Sequence, residues 1–390
     1  MGNLPLSGLR VLDFSWIIAG PTATRHLALL GAEVIKVGSS RRPDPSSRSA
    51  AFQVYNQSKE YCSLNLSMPE GLEIAKELVT TSDVVIENFA AGVFERIGLD
   101  YKTLTTLRPD VILVSSAGTG HTGPDKDYVA YGSLLQHYTG WNTISGFGDG
   151  KPIRGGLWAD PWVGMELAMI TIAATNHRMK TGKGQYIDFS MAESLTASIP
   201  TGVLEYQMTN KLPLPIGNDD VIKYPHGLYK CKGYDEWLAI SIQNEKQWKN
   251  LINLIGKTEI FQNPMFSSAE FRRDNKVEID DAITKFTSSF RHYEAMELFQ
   301  SYGIPSGPSL NISEAYSDPH TTQSGYLTPQ IYPDETARLM PGMPWKFDQG
   351  EPVHVTPAPQ MGDSNHRVYL ELMGMSAHVY QECVQKQIIY

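Results

Sequence analysis

The residue pair Asp160–Pro161 is the feature of this sequence that most directly offers chemistry. It opens a stretch with helical apolar spacing, and Gly155 and Gly156 stand just before it, where a ligand could approach the backbone closely. A carboxylate displayed there could act as a nucleophile and form an acyl anhydride, which divides one difficult transfer into two easier steps. The same pair also fits helix capping, because Asp favours the N-cap and Pro the first helical position. From the residues alone, both interpretations stay open.

Two further patterns could bind an anion. Arg41, Arg42 and Arg48 lie in one polar stretch, and guanidinium groups match phosphate geometry, although a solvated basic loop would look the same. Residues 118–123 read Gly-Thr-Gly-His-Thr-Gly after a predicted strand, which is the glycine pattern of dinucleotide sites. Turn residues follow it instead of a helix. The pattern therefore predicts a glycine-rich loop at the edge of a sheet, where ligands bind, and not an NAD or FAD site.

The composition is that of a folded protein with an acidic surface. The 390 residues include 41% hydrophobic and 19% charged residues, three cysteines and a net charge of −9. This balance excludes disordered and collagen-like chains, and the acidic charge argues against a nucleic-acid partner. No apolar run reaches the ~18 residues of a membrane span, and no signal peptide is visible. Sparse cysteines without metal-ligand spacing favour a cytoplasmic protein with no metal site.

The first half of the chain alternates short apolar runs with helical patterns. Strands are predicted at residues 8–14, 32–37, 83–87, 110–115 and 185–190, and helices at 22–30, 69–80 and 161–180. Continuously apolar strands that alternate with helices are typical of a parallel sheet covered on both faces. The sequence thus predicts an α/β fold with a Rossmann-like large domain.

Taken together, these stretches resemble the class III CoA-transferases, the CaiB/BaiF-like family that includes formyl-CoA:oxalate and carnitine CoA-transferases. The resemblance runs from about Leu6 to Ile389, and four stretches carry it, at residues 8–37, 87–124, 159–190 and 302–320. It implies a pair of chains interlocked like links, either a homodimer or a heterodimer with a related subunit.

The expected domain organisation has four parts. A large Rossmann-like, CoA-binding domain is expected over residues 1–200 and a linker over 201–225. A small α+β domain is expected over 226–320, and a C-terminal segment over 321–390 that returns to the large domain.

The resemblance also implies roles for particular residues. The family's catalytic aspartate lies in a D-x-x-x-G pattern before a long helix, which here is Asp160 to Gly164. Arg41 or Arg42 would contact the CoA phosphates, because Gly38 and Ser39 occupy the positions where the family often has a glutamate and an arginine. The other implied CoA contacts are Ile18, Ala19, Leu64, Asn65, Leu66, Ser67, Asn88, Phe89, Ala90 and Arg96. The implied substrate pocket comprises Trp16, Ile17, Tyr131, Gly132, His137 and Arg154.

The implied reaction moves CoA from an acyl-CoA donor to a carboxylic acid through an aspartyl anhydride and an aspartyl-CoA thioester. It needs no cofactor, because the CoA thioesters are themselves the substrates. The apolar Trp16 and Ile17 beside the small Gly132 favour a bulky or aromatic acid. Arg154 could pair with a second carboxylate, as in a benzylsuccinate-type acceptor with succinyl-CoA as donor.

Three alternatives stay open. Related α-methylacyl-CoA racemases carry a His-Asp pair where this chain has Tyr131 and Gly132, so a racemase would need His137 as a substitute base. The chain could also be a partner subunit of a hetero-oligomeric CoA-transferase. The presence of Asp160 speaks against an inactive subunit of that kind. The third alternative is a CoA-binding protein without chemistry.

Overall fold

The structure, a computed structural model, describes residues 4–148, 151, 155–256, 263–332, 335–348 and 354–390. The chain divides into two compact units. The large unit comprises Met1–Asn142, Arg154–Leu212 and Gly325–Tyr390, and the small unit comprises Thr143–Ile153 and Pro213–Ser324. The segment expected to be a linker, residues 201–225, instead begins with a helix over Pro200–Thr209 that belongs to the large unit.

The large unit is built on a six-stranded parallel sheet. Its strands are β1 (Arg10–Asp13), β2 (Glu33–Gly38), β3 (Glu60–Ser63), β4 (Val84–Glu87), β5 (Ile112–Ala117) and β6 (Tyr186–Ser190). Their order is β3-β2-β1-β4-β5-β6, and every neighbouring pair is parallel. The predicted α/β fold with a Rossmann-like large unit is confirmed. Because the order reverses between β1 and β4, a crevice is expected outside the carboxyl ends of these two strands.

Helices cover both faces of this sheet. In the first half of the chain they are α1 (Ala19–Leu29), α2 (Ala50–Tyr55), α3 (Pro69–Thr80), α4 (Val93–Arg96), α5 (Tyr101–Leu107), α6 (Gly132–Tyr138), α7 (Trp141–Ile144), α8 (Ala159–Thr181), α9 (Met191–Ala197) and α10 (Pro200–Thr209). The bounds of α3 match the prediction, because Pro69 occupies the start of the helix and Glu70 lies in its first turn. Residues of the described ranges form no helix long and apolar enough to cross a membrane.

The strand residues alternate between two apolar cores. Val84 and Ile86 pack in one core with helices α1, α8 and α9. Val85 packs in the other core with α3 and with the C-terminal residues Ile388 and Ile389. Burial on both sides explains why the strands are apolar at successive positions.

The C-terminal part of the large unit contributes the hairpin of β10 (Leu327–Ile331) and β11 (Ala337–Pro341), a π-helix (His366–Leu372) and a last α-helix (Ala377–Gln385). Its end is tied to β3. Ser63 Oγ donates to the Tyr390 carbonyl oxygen at 2.9 Å, and the Tyr369 hydroxyl donates to the Ser63 carbonyl oxygen at 2.8 Å.

The small unit has an antiparallel sheet of β7 (His226–Lys230), β8 (Trp237–Ser241) and β9 (Ser306–Pro308). Its α-helices are Glu245–Ile255, Ala269–Asp274, Lys276–Thr287, His292–Ser301, Ile312–Ser317 and Pro319–Gln323, with a 3-10 turn at Pro264–Ser267. They enclose a separate apolar core around Trp248, Leu251 and Phe299. This is the α+β architecture that the sequence predicts.

Candidate active site

The segment between β1 and α1, residues 14–18, forms one wall of a crevice at the carboxyl ends of the strands. Trp16 N donates to Asn88 Oδ1 at 2.7 Å, and Asn88 Nδ2 donates back to the Trp16 carbonyl oxygen at 2.9 Å. Ile17 has a φ of 67°, a region that β-branched residues avoid, and its N–H donates to Asp44 Oδ1 at 3.1 Å. Such a conformation persists only where the surroundings determine it. Asn88 and Asp44 thus fix the shape of this wall.

Two buried ion pairs lie beneath the same segment. Lys59 Nζ is 3.1 Å from Asp13 Oδ2 and Lys36 Nζ is 3.4 Å from Asp44 Oδ2, and all four side chains are at most 1% exposed. Burial by itself raises the pKa of Asp13. Lys59, Lys36 and hydrogen bonds from two hydroxyls outweigh that effect and lower the pKa to about 2. The Asp13 carboxylate is therefore ionised, and it also accepts the Ser15 N–H at 2.9 Å.

The helices α1 and α8 come into unusually close contact where they border the crevice. A Cβ atom added to Gly164 would lie 2.5 Å from Thr22 Cβ and 2.6 Å from the Ala19 carbonyl oxygen. Glycine at this position therefore allows the first turn of α8 to approach the first turn of α1. Asp160 lies one helical turn before Gly164, so this contact places its carboxyl group beside the segment 14–18.

Asp160 lines a cleft of about 170 Å³ at the point where the strand order reverses. Three segments that follow strands β1, β4 and β5 supply most of its lining. The lining residues are Trp16, Ile17, Ile18, Ala19, Asn88, Phe89, Ala90, Ser116, Gly118, Tyr128, Val129, Ala130, Tyr131, Asp160 and Met191. Apart from Asp160, every one of these is neutral, and most are apolar or aromatic.

The Asp160 carboxyl group is half-buried and accepts no hydrogen bond from the residues that the structure describes. Burial raises its pKa to about 6. The capping interpretation is wrong in its geometry, because α8 begins at Ala159 after a cap at Trp158 that makes no side-chain capping bond. A carboxylate without donors keeps its lone pairs available for attack on an electrophile.

Gly132 borders the Asp160 carboxyl group, and Tyr55 interacts with it electrostatically from another element. A Cβ atom added to Gly132 would lie 2.8 Å from both carboxyl oxygens and from the carbon between them, so only a glycine leaves this face of the carboxyl group open. Tyr55, at the end of α2, has its pKa raised first by burial and then by the charge of Asp160. Its phenol group is therefore close enough to interact electrostatically with the carboxylate.

A second pocket of about 190 Å³ adjoins the first, and Trp16 and Phe89 line both. These two rings meet edge to face, with their centroids 5.1 Å apart. Of the residues implied as CoA contacts, Arg41, Arg42 and the segment 64–67 line this second pocket. The Arg42 guanidinium lies 5.5 Å from the centre of the Trp16 ring, and the Arg41 guanidinium donates to the side chain of Gln387.

The structure brings most of the implied residues to these two pockets, with four exceptions. Gly132 lines neither pocket, although it lies against the Asp160 carboxyl group. Arg96 ends helix α4, is exposed and lines neither pocket. His137 is exposed on α6 and does not line the Asp160 cleft. Arg154 lies outside the described residues.

Sequence reasoning missed the groups that support the site. Asp13, Asp44 and Lys59 were not identified, because charged side chains are ordinarily assigned to the surface. One signal was present at Asp13, which ends an apolar strand and is followed two residues later by Ser15, a spacing at which a carboxylate accepts backbone hydrogen bonds. Tyr55 offered no such signal.

Comparison with known proteins identifies the family of this chain. Residues 6–365 match the model of CoA-transferase family III. The succinate–glutarate CoA-transferase of Agrobacterium fabrum is 30% identical over 386 residues, which cover 94% of this chain and 96% of that protein. The succinyl-CoA–D-citramalate CoA-transferase of Chloroflexus aurantiacus is 28% identical, and the alignment covers 95% of each chain.

A solved structure shows the same architecture. The crystal structure of a CAIB/BAIF family protein from Brucella suis aligns with a TM-score of 0.86 and 26% identity, and covers 95% of this chain and 100% of that one. Three findings support the same family: the parallel sheet, the cleft at the point where its strand order reverses, and the sequence match over nearly the whole length. The chain belongs to CoA-transferase family III and is a CoA-transferase.

Proposed function

We propose that this enzyme transfers CoA from an acyl-CoA donor to a bulky or aromatic carboxylic acid, with Asp160 as the nucleophile. The observation that carries the proposal is the Asp160 carboxyl group, which faces a neutral cleft and has no hydrogen-bond donor among the described residues. Its raised pKa of about 6 leaves it ionised at neutral pH while burial keeps it poorly solvated. Both conditions favour attack on a thioester carbonyl.

The reaction proceeds through four exchanges at carbonyl carbons. Asp160 attacks the donor thioester, the C–S bond breaks, and the CoA thiolate stays bound while a mixed anhydride forms. The thiolate attacks the aspartyl carbonyl, which gives an aspartyl-CoA thioester and releases the donor acid. The acceptor carboxylate attacks this thioester and forms a second anhydride, and the thiolate then attacks the acceptor's acyl carbon. Asp160 is regenerated, and no metal or redox cofactor takes part.

The two adjoining pockets support an arrangement for CoA. The phosphates would lie near Arg41 and Arg42, and the pantetheine arm would pass the Trp16–Phe89 pair toward Asp160. Guanidinium groups are suited to phosphate recognition. This arrangement keeps the reactive thioester in the neutral cleft and the polyanionic part of CoA at the exposed arginines.

The substrates are proposed from the cleft lining and from the relatives. Trp16, Phe89, Tyr128 and Tyr131 offer aromatic surface to the acid, and no side chain at Gly132 restricts its size. The names of both curated relatives contain succinate or succinyl-CoA, which supports succinyl-CoA as donor. A racemase would need a second base in the cleft. Among the described lining residues, Asp160 is the only carboxylate or imidazole.

The proposal is tested by offering succinyl-CoA with a panel of acids and by identifying the products by mass spectrometry. Phenylacetate, benzoate and benzylsuccinate should yield their CoA thioesters, and oxalate should react more slowly. Asp160→Asn should form none of them. Transfer to oxalate alone would contradict the aromatic assignment, and transfer by the Asp160→Asn variant would contradict the aspartyl mechanism.

We also propose that the active form is a homodimer. Helix α10 has no buried residue, although its sequence is largely apolar, and the exposed fractions of Leu204 and Met208 are 54% and 83%. Exposed apolar faces of this kind mark interfaces. Sedimentation of the purified chain should give a dimer, and Leu204→Lys should weaken it. A monomer that becomes active only with a related subunit would favour a heterodimer.

A further inference from the structure

The glycine-rich loop after β5 carries a histidine that connects the ends of three strands. His121 Nδ1 lies 3.1 Å from Asp188 Oδ1, at β6, and His121 Nε2 lies 3.7 Å from Glu87 Oε1, at the end of β4. The backbone N–H of His121 donates to the same Asp188 oxygen at 2.8 Å. Gly120 has a φ of 82°, and this left-handed turn brings the loop onto Asp188.

Glu87 connects this histidine to the wall of the Asp160 cleft. Its side chain is 1% exposed, and its Oε2 atom accepts the Phe89 N–H at 2.8 Å. Phe89 and its neighbour Asn88 line the cleft, and Asn88 holds Trp16 through two hydrogen bonds. Movement of the Glu87 carboxyl group would therefore be transmitted to both walls of the proposed CoA site.

The other oxygen, Glu87 Oε1, is buried and has no hydrogen-bond partner among the described residues. The group that faces it is the His121 imidazole. Burial raises the pKa of Glu87 to about 7, although Ser115, the Phe89 N–H and His121 act in the opposite direction, and Glu95 raises it further. Tyr186 and Asp188 on β6 complete the titratable surroundings.

These contacts surround a Glu87 carboxyl group whose pKa is about 7, so its protonation changes near neutral pH. A proton on Glu87 removes the buried charge and lets Oε1 donate toward the imidazole that faces it. Loss of that proton leaves an ionised, buried Glu87 carboxylate near Glu95, which is the arrangement that burial penalises most.

We propose that His121 is a positioning residue that holds the Asn88–Ala90 wall in its CoA-binding conformation through Glu87, and that CoA binding weakens when Glu87 loses its proton. The inference rests on the proposed binding of CoA in the cleft. It adds a residue that does not line the cleft, and it predicts a pH dependence that does not arise from Asp160.

Calorimetric titration of CoA tests the inference without turnover. The Asp160→Asn background removes the titrating carboxylate that lines the cleft. Its dissociation constant for CoA is compared with that of the His121→Gln, Asp160→Asn double variant at about pH 6 and about pH 8. Titration of the CoA phosphates affects both proteins equally.

At the lower pH, CoA should bind the single variant about five- to tenfold more tightly than the double variant. At the higher pH, the two constants should converge. His378→Gln in the same background is the matched control, because His378 is 83% exposed, and it should behave like the single variant.

Equal constants for the single and double variants at both pH values would overturn the inference. Binding that is weakened equally at both pH values would show a purely structural role and would overturn it as well. If the double variant fails to fold, the His121→Asn, Asp160→Asn variant takes its place in the same comparison, and equal constants at both pH values contradict the account. Absence of acyl transfer by the unmodified enzyme, with this pH-dependent binding preserved, would overturn the proposed function alone.

Discussion

Two carboxyl groups beside the same crevice, one fully buried and one half-buried, have opposite surroundings. Asp13 is enclosed by Lys59, Lys36 and hydroxyl donors, and its pKa falls to about 2. Asp160 is half-buried without donors among the described residues, and its pKa rises to about 6. The difference teaches that burial alone does not define a carboxylate's role. The partnered group stabilises the fold, whereas the unpartnered group is destabilising when ionised and is available for chemistry.

The largest effect is expected on activity when Asp160 is changed. Asp160→Asn removes the proposed nucleophile and keeps the shape of the side chain, so the rate of CoA transfer should fall by at least about 10⁴-fold. CoA binding should persist, because the arginine pocket is untouched. Product formation measured by mass spectrometry checks the first expectation, and calorimetry checks the second. Asp281→Asn, an exposed carboxylate of the small unit, is the control that should stay fully active.

Removal of a charge from the buried Asp13–Lys59 ion pair should lower the stability of the protein. Lys59→Met removes the main cation beside the buried Asp13 carboxylate. The free energy of unfolding should therefore fall by about 3–5 kcal/mol. Urea-induced unfolding, followed by tryptophan fluorescence, measures the change. The control is Lys76→Met, which removes the surface partner of Glu73. It should lower the free energy of unfolding by no more than about 1 kcal/mol. Similar losses in the two variants would contradict the assignment of a stabilising role to the buried pair.

The close contact of α1 with α8 gives a third test. Gly164→Ala places a methyl group 2.5 Å from Thr22 Cβ, so the helices must separate, at a cost of about 1–3 kcal/mol. Because the same contact positions Asp160, the transfer rate should fall by more than the loss of stability explains at a temperature where the variant is folded. Full activity in a destabilised variant would show that the contact does not position the nucleophile.

The smallest expected effect is the pH dependence of stability. Folding raises the pKa of Asp160. Its contribution to the stability of the folded protein is therefore fully present below about pH 4 and is lost as the pH rises through about 6. Above pH 6, Asp160→Asn should therefore be more stable than the unmodified enzyme by roughly 1–3 kcal/mol, since each pKa unit corresponds to about 1.4 kcal/mol. The gain should vanish near pH 4. A variant that is less stable at neutral pH would mean that Asp160 has stabilising partners.

Much of the large unit could be predicted because its residues follow local rules. The apolar spacing and the Pro69–Glu70 start locate α3 to the residue, and the continuous runs locate five of the strands to within about two residues. The strand Glu60–Ser63 was missed, since four residues that begin with a charge carry little periodicity. The helix Pro200–Thr209 was missed because no residue of it is buried, so it has no apolar stripe directed at a core.

The site was only partly predictable for a different reason. Asp160 and the segments proposed to bind CoA lie in continuous sequence patterns, so the chain alone could indicate them as candidates. Asp44, Lys59 and Tyr55 act through contacts with residues distant in sequence, such as the Ile17 N–H. Glu87 and His121 lay in known motifs, but their pairing depends on which strands are neighbours in the sheet. Spacing along one chain does not contain that information.

The most direct test of the account is to trap the acyl group on Asp160. The enzyme is incubated with succinyl-CoA, treated with hydroxylamine, digested with trypsin and analysed by mass spectrometry. We expect a hydroxamate on Asp160 within the peptide of residues 155–178, formed from the anhydride or the aspartyl-CoA thioester. Full transfer activity with an unmodified Asp160, or a hydroxamate on another carboxyl group, would contradict the central claim.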